Sequence, residues 1–152
     1  DMRAALLKLT TVARRRVCIT LPTGASPRTD DHVIEALGLA SRVGRDHLYA
    51  VNILSSMGFE PELTYIKSSR HDTFETFDDA LRKYDDMVRK ACALLPKTRT
   101  QIALSKLKPW LETQIVENED AGKPGERGIP QGALRLREPR TITWAFIAWN
   151  VD

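Results

Sequence analysis

Arg14-Arg15-Arg16-Val17-Cys18-Ile19-Thr20-Leu21-Pro22-Thr23-Gly24 is the stretch that decides how this chain folds. Three arginines give way to an uncharged run rich in β-branched residues, which Pro22 and Gly24 end abruptly. Over 16–21, Val17, Ile19 and Leu21 fall on one face of a strand, and Cys18 and Thr20 on the other. With no charged residue on either face after Arg16, this strand is expected in a central sheet position covered on both sides. The arginines sit just after a helical pattern, where cations complement the helix dipole. They read as a helix end, not as a phosphate-binding patch.

Working outward, Ala5, Leu6, Leu9, Val12 and Ala13 repeat at helical spacing, which predicts an amphipathic helix over 2–13. Downstream, Asp30 or Asp31 caps a helix whose buried stripe is Val33, Ile34, Leu37 and Leu39, and Gly44 breaks it. A further helix from about Asp46 places Leu48, Val51, Leu54 and Met57 on one face, and Gly58 suits its C-terminal cap. A second strand is expected over 61–68. Thr73 or Thr76 then opens a helix carrying Phe77, Ala80, Leu81, Tyr84, Met87, Val88 and Ala91 on its apolar face, closed by Leu94-Leu95-Pro96. More helix runs through Ile102, Leu107, Leu111 and Ile115, with Pro109 suited to a first turn. The Gly- and Pro-rich residues 117–131 read as an exposed loop or hairpin tip, 134–136 as a short strand, and 141–149 as the most β-prone stretch.

At 152 residues, with 42% hydrophobic and 28% charged side chains, the chain fits one soluble domain over 1–152. No apolar stretch approaches the roughly 20 residues that cross a bilayer, and the N-terminus lacks a signal peptide. Cys18 and Cys92 lie in unrelated elements and read as buried, reduced thiols of a cytoplasmic protein. The net charge of +3 arises from basic and acidic residues mixed along the chain, which disfavours nucleic acid as a partner.

The candidate motifs mostly resolve to structure. His32, His47 and His71 lack the spacing of a metal site, and no metal is expected. Gly122, Gly125 and Gly128 follow an acidic helix end and are interrupted by prolines, so they form a hairpin tip and not a phosphate cradle. Asp78–Arg82, Asp79–Lys83, Asp85–Arg89 and Asp86–Lys90 lie four apart with the acid first, a solvated face that supports its helix. Trp144 and Trp149 lack interleaved basic residues and read as core, not as a base-stacking platform.

The order of these elements resembles the C-terminal half of a class I S-adenosylmethionine-dependent methyltransferase. More narrowly, it is similar to a bacterial subgroup whose fifth strand ends in Pro-Thr, here Leu21-Pro22-Thr23. In that subgroup a helix ending in Asn-x-Leu-x-x-x-Gly precedes a Pro-led sixth strand, here Asn52-Ile53-Leu54-Ser55-Ser56-Met57-Gly58-Phe59-Glu60-Pro61. The resemblance implies a partial Rossmann-like α/β fold. Its three-stranded mixed sheet would hold the fifth strand (16–21), the seventh (141–149) and the sixth (61–68), in that order. The helices of 77–115 would be inserted between the sixth and seventh strands.

The family's cofactor features, an acidic residue with Gly-x-Gly-x-Gly after the first strand and a second acidic residue for the ribose, have no counterpart. The chain, which opens on Asp1, therefore looks like a fragment or C-terminal domain of a longer protein. Its partner would be the missing N-terminal half of the same polypeptide, and the chain alone is not expected to bind S-adenosylmethionine. The implied substrate is a small molecule. Ligands of open α/β sheets sit beyond the strands' C-terminal ends. That places Pro22, Thr23 and Gly24 on the substrate side, with His32 and Tyr49 as looser candidates, and assigns no catalytic base. Without a fourth strand, the edge at Val17, Cys18 and Ile19 is unpaired, and self-association of the isolated chain is expected. The competing reading is a free-standing α/β protein-interaction module without enzymatic activity.

Overall fold

The structure, a computed structural model, describes residues 1–24, 28–40 and 44–151. It is mixed α/β, with two three-stranded sheets of strand order β1-β6-β2 and β3-β5-β4. The elements run α1 (Met2–Val12), β1 (Arg16–Pro22), α2 (Asp31–Ala36), α3 (Asp46–Ser56), β2 (Glu62–Arg70), β3 (Thr73–Phe74), α4 (Phe77–Ala91), α5 (Lys97–Gln114), β4 (Ile115–Glu117), β5 (Leu134–Leu136) and β6 (Arg140–Asn150). The chain divides into two compact units, one of Asp1–Pro27, Arg42–Ser68 and Thr141–Asp152, the other of Arg28–Ser41 and Ser69–Arg140.

In the first unit, β6 pairs antiparallel with β1, with Val17 opposite Trp149, Ile19 opposite Ile147 and Leu21 opposite Ala145. These pairs share one sheet face, and most of them join Leu6, Ala50, Leu54 and Leu63 in a single core. Trp149 is buried, and its indole N–H donates to the Thr10 hydroxyl at 3.1 Å, which satisfies a polar group that burial would otherwise strand. The closing strand thus lies between the two earlier ones, as expected. The sheet is antiparallel rather than mixed: β1 and β2 are separated by a strand of opposite direction, so no parallel neighbours meet.

β1 is an edge strand, and the face bearing Cys18 and Thr20 is exposed. The Cys18 thiol is therefore not buried, whereas Cys92 is. The covered face of α1 centres on buried Leu6, with Met2 and Thr10 half-buried beside it, and Ala5, Leu9 and Val12 are exposed. In α3 the buried face is rotated by one residue, with His47, Ala50 and Leu54 inside and Leu48 outside. Periodicity alone left both helical faces undetermined, because each helix has more apolar residues than the sheet covers. Gly58 follows α3 with φ +89°, a left-handed conformation that favours glycine at a helix end.

The second unit packs α2, α4 and α5 with the small sheet around Val33, Ile34, Phe74, Tyr84, Val88, Leu107, Leu111 and Leu136. Thr76 caps α4 by accepting from the Asp79 N–H at 3.2 Å. Of the expected helix pairs, Asp85–Arg89 and Asp86–Lys90 form, but Arg82 takes Asp79 and Lys83 takes Asp72. Pro109 lies inside α5 and does not open a separate helix. Residues 118–132 form a hairpin-like arm closed by Gly122 N–H to Gln131 O at 2.8 Å and Gly125 N–H to Ile129 O at 2.7 Å.

Truncating Leu54, which is fully buried, to alanine removes apolar contact and leaves a cavity. Leu54→Ala is expected to cost about 2–5 kcal/mol, whereas Val12→Ser on the exposed side of α1 should stay within about 0.5 kcal/mol. Urea unfolding of the two variants checks the contrast.

Candidate functional site

The C-terminal end of β1 is held by backbone geometry. Pro22 ends the strand opposite Trp144. Thr23 then donates twice to the Thr143 carbonyl, from its N–H at 3.0 Å and from its hydroxyl at 2.9 Å. Both acceptor positions of that oxygen are used, which fixes where the chain leaves the sheet. The Gly24 carbonyl accepts from the Gly44 N–H at 3.3 Å, and a Cβ on Gly44 would come within 2.9 Å of the same oxygen. Only glycine permits that approach without a shift. α2 ends at Ala36, with Gly38 at φ +74° just beyond it, so Gly44 does not break that helix as the sequence suggests; its role is this close approach.

Three residues beyond Gly44, His47 sits in the first turn of α3. It is buried, edge-on to Tyr65 at 5.8 Å between ring centroids, and its Nδ1 has no hydrogen-bond partner among the described residues. Tyr49 is 64% exposed on the same helix. His32 belongs to the other unit, where its exposed ring meets Trp110 edge-on at 5.5 Å. Pro22, Thr23 and Gly24 are thus one continuous anchored turn, Tyr49 is a surface residue of the same unit, and His32 packs in the second.

The second unit contains a polar cluster that the sequence did not announce. Asp72 is nine-tenths buried, and its carboxylate lies 3.2 Å from Lys83 Nζ, 3.8 Å from Arg70 Nε and 3.8 Å from Arg140 Nη1. Arg140 is itself buried and reaches the Thr29 carbonyl at 3.4 Å. Asp30, also buried, accepts from the His32 N–H at 3.1 Å as the cap of α2. Burial pushes the Asp30 carboxyl above its ordinary value; the positive charge of Arg140 opposes this and the negative charge of Asp72 adds to it. The Tyr84 hydroxyl is pushed up in the same way, by burial first and then by the two carboxylates. Tyr84 OH, Asp72 Oδ2 and Arg140 Nε have no hydrogen-bond partner among the described residues.

An open cleft of about 400 Å³ adjoins this cluster, lined by Arg70, His71, Asp72, Lys83, Glu126 and Gln131 among others. Its size lies within the range of small-molecule sites. Arg70 spans its mouth to Glu126 at 2.6 Å, and the guanidinium holds the Glu126 carboxyl below its usual range. Asp30 was legible in the sequence only as a helix cap, and nothing in the spacing of Arg70, Asp72 and Arg140 sets them apart. Charged residues at strand ends were the one available signal, and they are common there for solvation alone.

No protein-family model matches the chain, and no curated protein does.

Because the Asp30 carboxyl is raised, the folded state takes up a proton at a higher pH than the unfolded chain does. Stability of the second unit should therefore rise as pH falls from neutral through that raised value, and level off in the ordinary carboxylate range. Asn retains the capping oxygen without the buried charge. Asp30→Asn should raise stability at neutral pH and remove this acid-side gain, as thermal unfolding across pH 4–7 would report.

Proposed function

We propose that this chain is the C-terminal part of a bacterial class I S-adenosylmethionine-dependent methyltransferase, contributing sheet and substrate-side elements to the parent enzyme. The observation that carries this reading is the position of β6. Strands that follow one another in sequence usually pair, yet β6 sits between β1 and β2, with β3 to β5 intervening along the chain. That order resembles the fifth-seventh-sixth arrangement. The turn 21–24, with Pro22 and Thr23 at the C-terminal end of β1, and the Gly58 cap ahead of β2 support it further.

In this reading the glycine-rich run is not the cofactor's cradle. The glycine-rich run forms a hairpin tip in which Pro124 bridges Pro130, not a turn between a strand and a helix. The resemblance places cofactor binding in the N-terminal half of the parent protein. What its own residues contribute is alignment, through a rigid turn at Pro22, Thr23 and Gly24 that would border the methyl acceptor. The Thr23 hydroxyl donates to Thr143, which leaves it an acceptor toward a bound molecule.

Unit 1 leaves the outer edge of β1 without a strand neighbour among the described residues, and exposes Leu9 and Val12 on α1. The missing half would pair with this edge in the parent. The alternative reading, a free-standing interaction module, rests on the same exposed margin and would use it for a partner protein.

Calorimetric titration separates the two readings. S-adenosylmethionine should give no heat with this chain alone and saturable binding with the protein encoded when the upstream reading frame is included. A longer protein that also fails to bind would end the methyltransferase reading. Light scattering of the isolated chain should show mass rising with concentration, and a monomer at high concentration would remove self-association.

A further inference from the structure

We propose that the cleft of the second unit is a binding site for a small oxyanion, a phosphate or carboxylate group, which Arg70 and Lys83 hold and for which Glu126 is the built-in occupant. This goes beyond the methyltransferase reading and does not depend on it.

Charge favours an anion here. Asp72 is already engaged by three cations, Lys83 at 3.2 Å and Arg70 and Arg140 each at 3.8 Å. Together with buried Asp30, the cluster carries three positive and two negative charges. The balance is completed by Glu126, which the arm of residues 118–132 places against Arg70 at 2.6 Å. A carboxylate thus already occupies the anion position, delivered by the protein's own chain. Glu126 is two-thirds exposed, so an external anion that displaces it returns a carboxylate to water at little cost. The arm's backbone closure rests on its own hydrogen bonds, so releasing Glu126 does not require the arm to unfold.

The site is built for such a group. Arg70 offers a planar fork of donors suited to two oxygens of one anion. Lys83 adds a point charge, held over the Phe74 and Tyr84 rings at 5.2 and 5.8 Å. His71 and Gln131 line the same cleft with further polar groups. Asp72, nine-tenths buried, keeps Lys83 in place, and its second oxygen has no hydrogen-bond partner among the described residues.

The test is nuclear magnetic resonance of the ¹⁵N-labelled chain titrated with inorganic phosphate and, separately, acetate, each against sodium chloride at matched ionic strength. Saturable shifts confined to residues 70–73, 83 and 125–131 are expected. Glu126→Gln should tighten binding about two- to fivefold, the factor an exposed ion pair of this kind carries. Arg70→Met should abolish saturation while leaving shifts elsewhere native-like. Saturation by phosphate alone assigns a phosphate-bearing ligand, and saturation by acetate alone a carboxylate. Shifts that match chloride, that survive Arg70→Met, or that are no tighter in Glu126→Gln would overturn the proposal.

Discussion

The antiparallel ladder between β1 and β6 is the contact on which the first unit depends. Its register puts Val17, Ile19 and Leu21 opposite Trp149, Ile147 and Ala145. A slip of one residue by either strand would turn its three side chains to the other face and take them out of the core beneath α1 and α3. Hydrogen bonds pin the ladder at both ends. The Trp149 indole N–H reaches Thr10 on α1, and Thr23 grips the Thr143 carbonyl where β1 ends. The turn at Pro22, Thr23 and Gly24 is held by the two bonds from Thr23.

A different economy governs the second unit. Its apolar core joins three helices to a small sheet, yet it also encloses charge: Asp30, Asp72 and Arg140 are all buried. Charges removed from water persist only when they are paired. Here the pairing is shared, since one carboxylate faces three cations and one of those cations reaches out to Glu126 on the arm. Such sharing leaves the cluster close to balance but not self-contained. Its outermost member, Arg70, can exchange one carboxylate for another without disturbing Asp72 beneath it.

The glycine-rich arm shows how a motif that fails one test serves another purpose. Its three glycines open no α-helix, only a three-residue 3-10 turn over Glu126–Gly128 that Gly125 precedes, too short to present a row of amide donors to an anion. The arm closes on itself instead, by the bonds of Gly122 and Gly125, and its tip carries Glu126 to the mouth of the cleft.

Much of the secondary structure was legible in the sequence by itself. Uncharged β-branched runs marked the strands at 16–21 and 141–149. Proline and glycine bounded them, Thr76 and Gly58 marked helix ends, and residues 134–136 were recognised as a strand. These signals are local, because each depends on residues within one turn or one pleat of each other. Tertiary structure decided which apolar residues are covered: Leu6 but not Leu9 or Val12, Leu54 but not Leu48, Cys92 but not Cys18. It also decided that β6 separates β1 from β2, and that Asp30, Asp72 and Arg140, distant in sequence, share one buried site. Burial and charge pairing are properties of neighbours in space, and no pattern of spacing along the chain specifies which distant residues those neighbours will be.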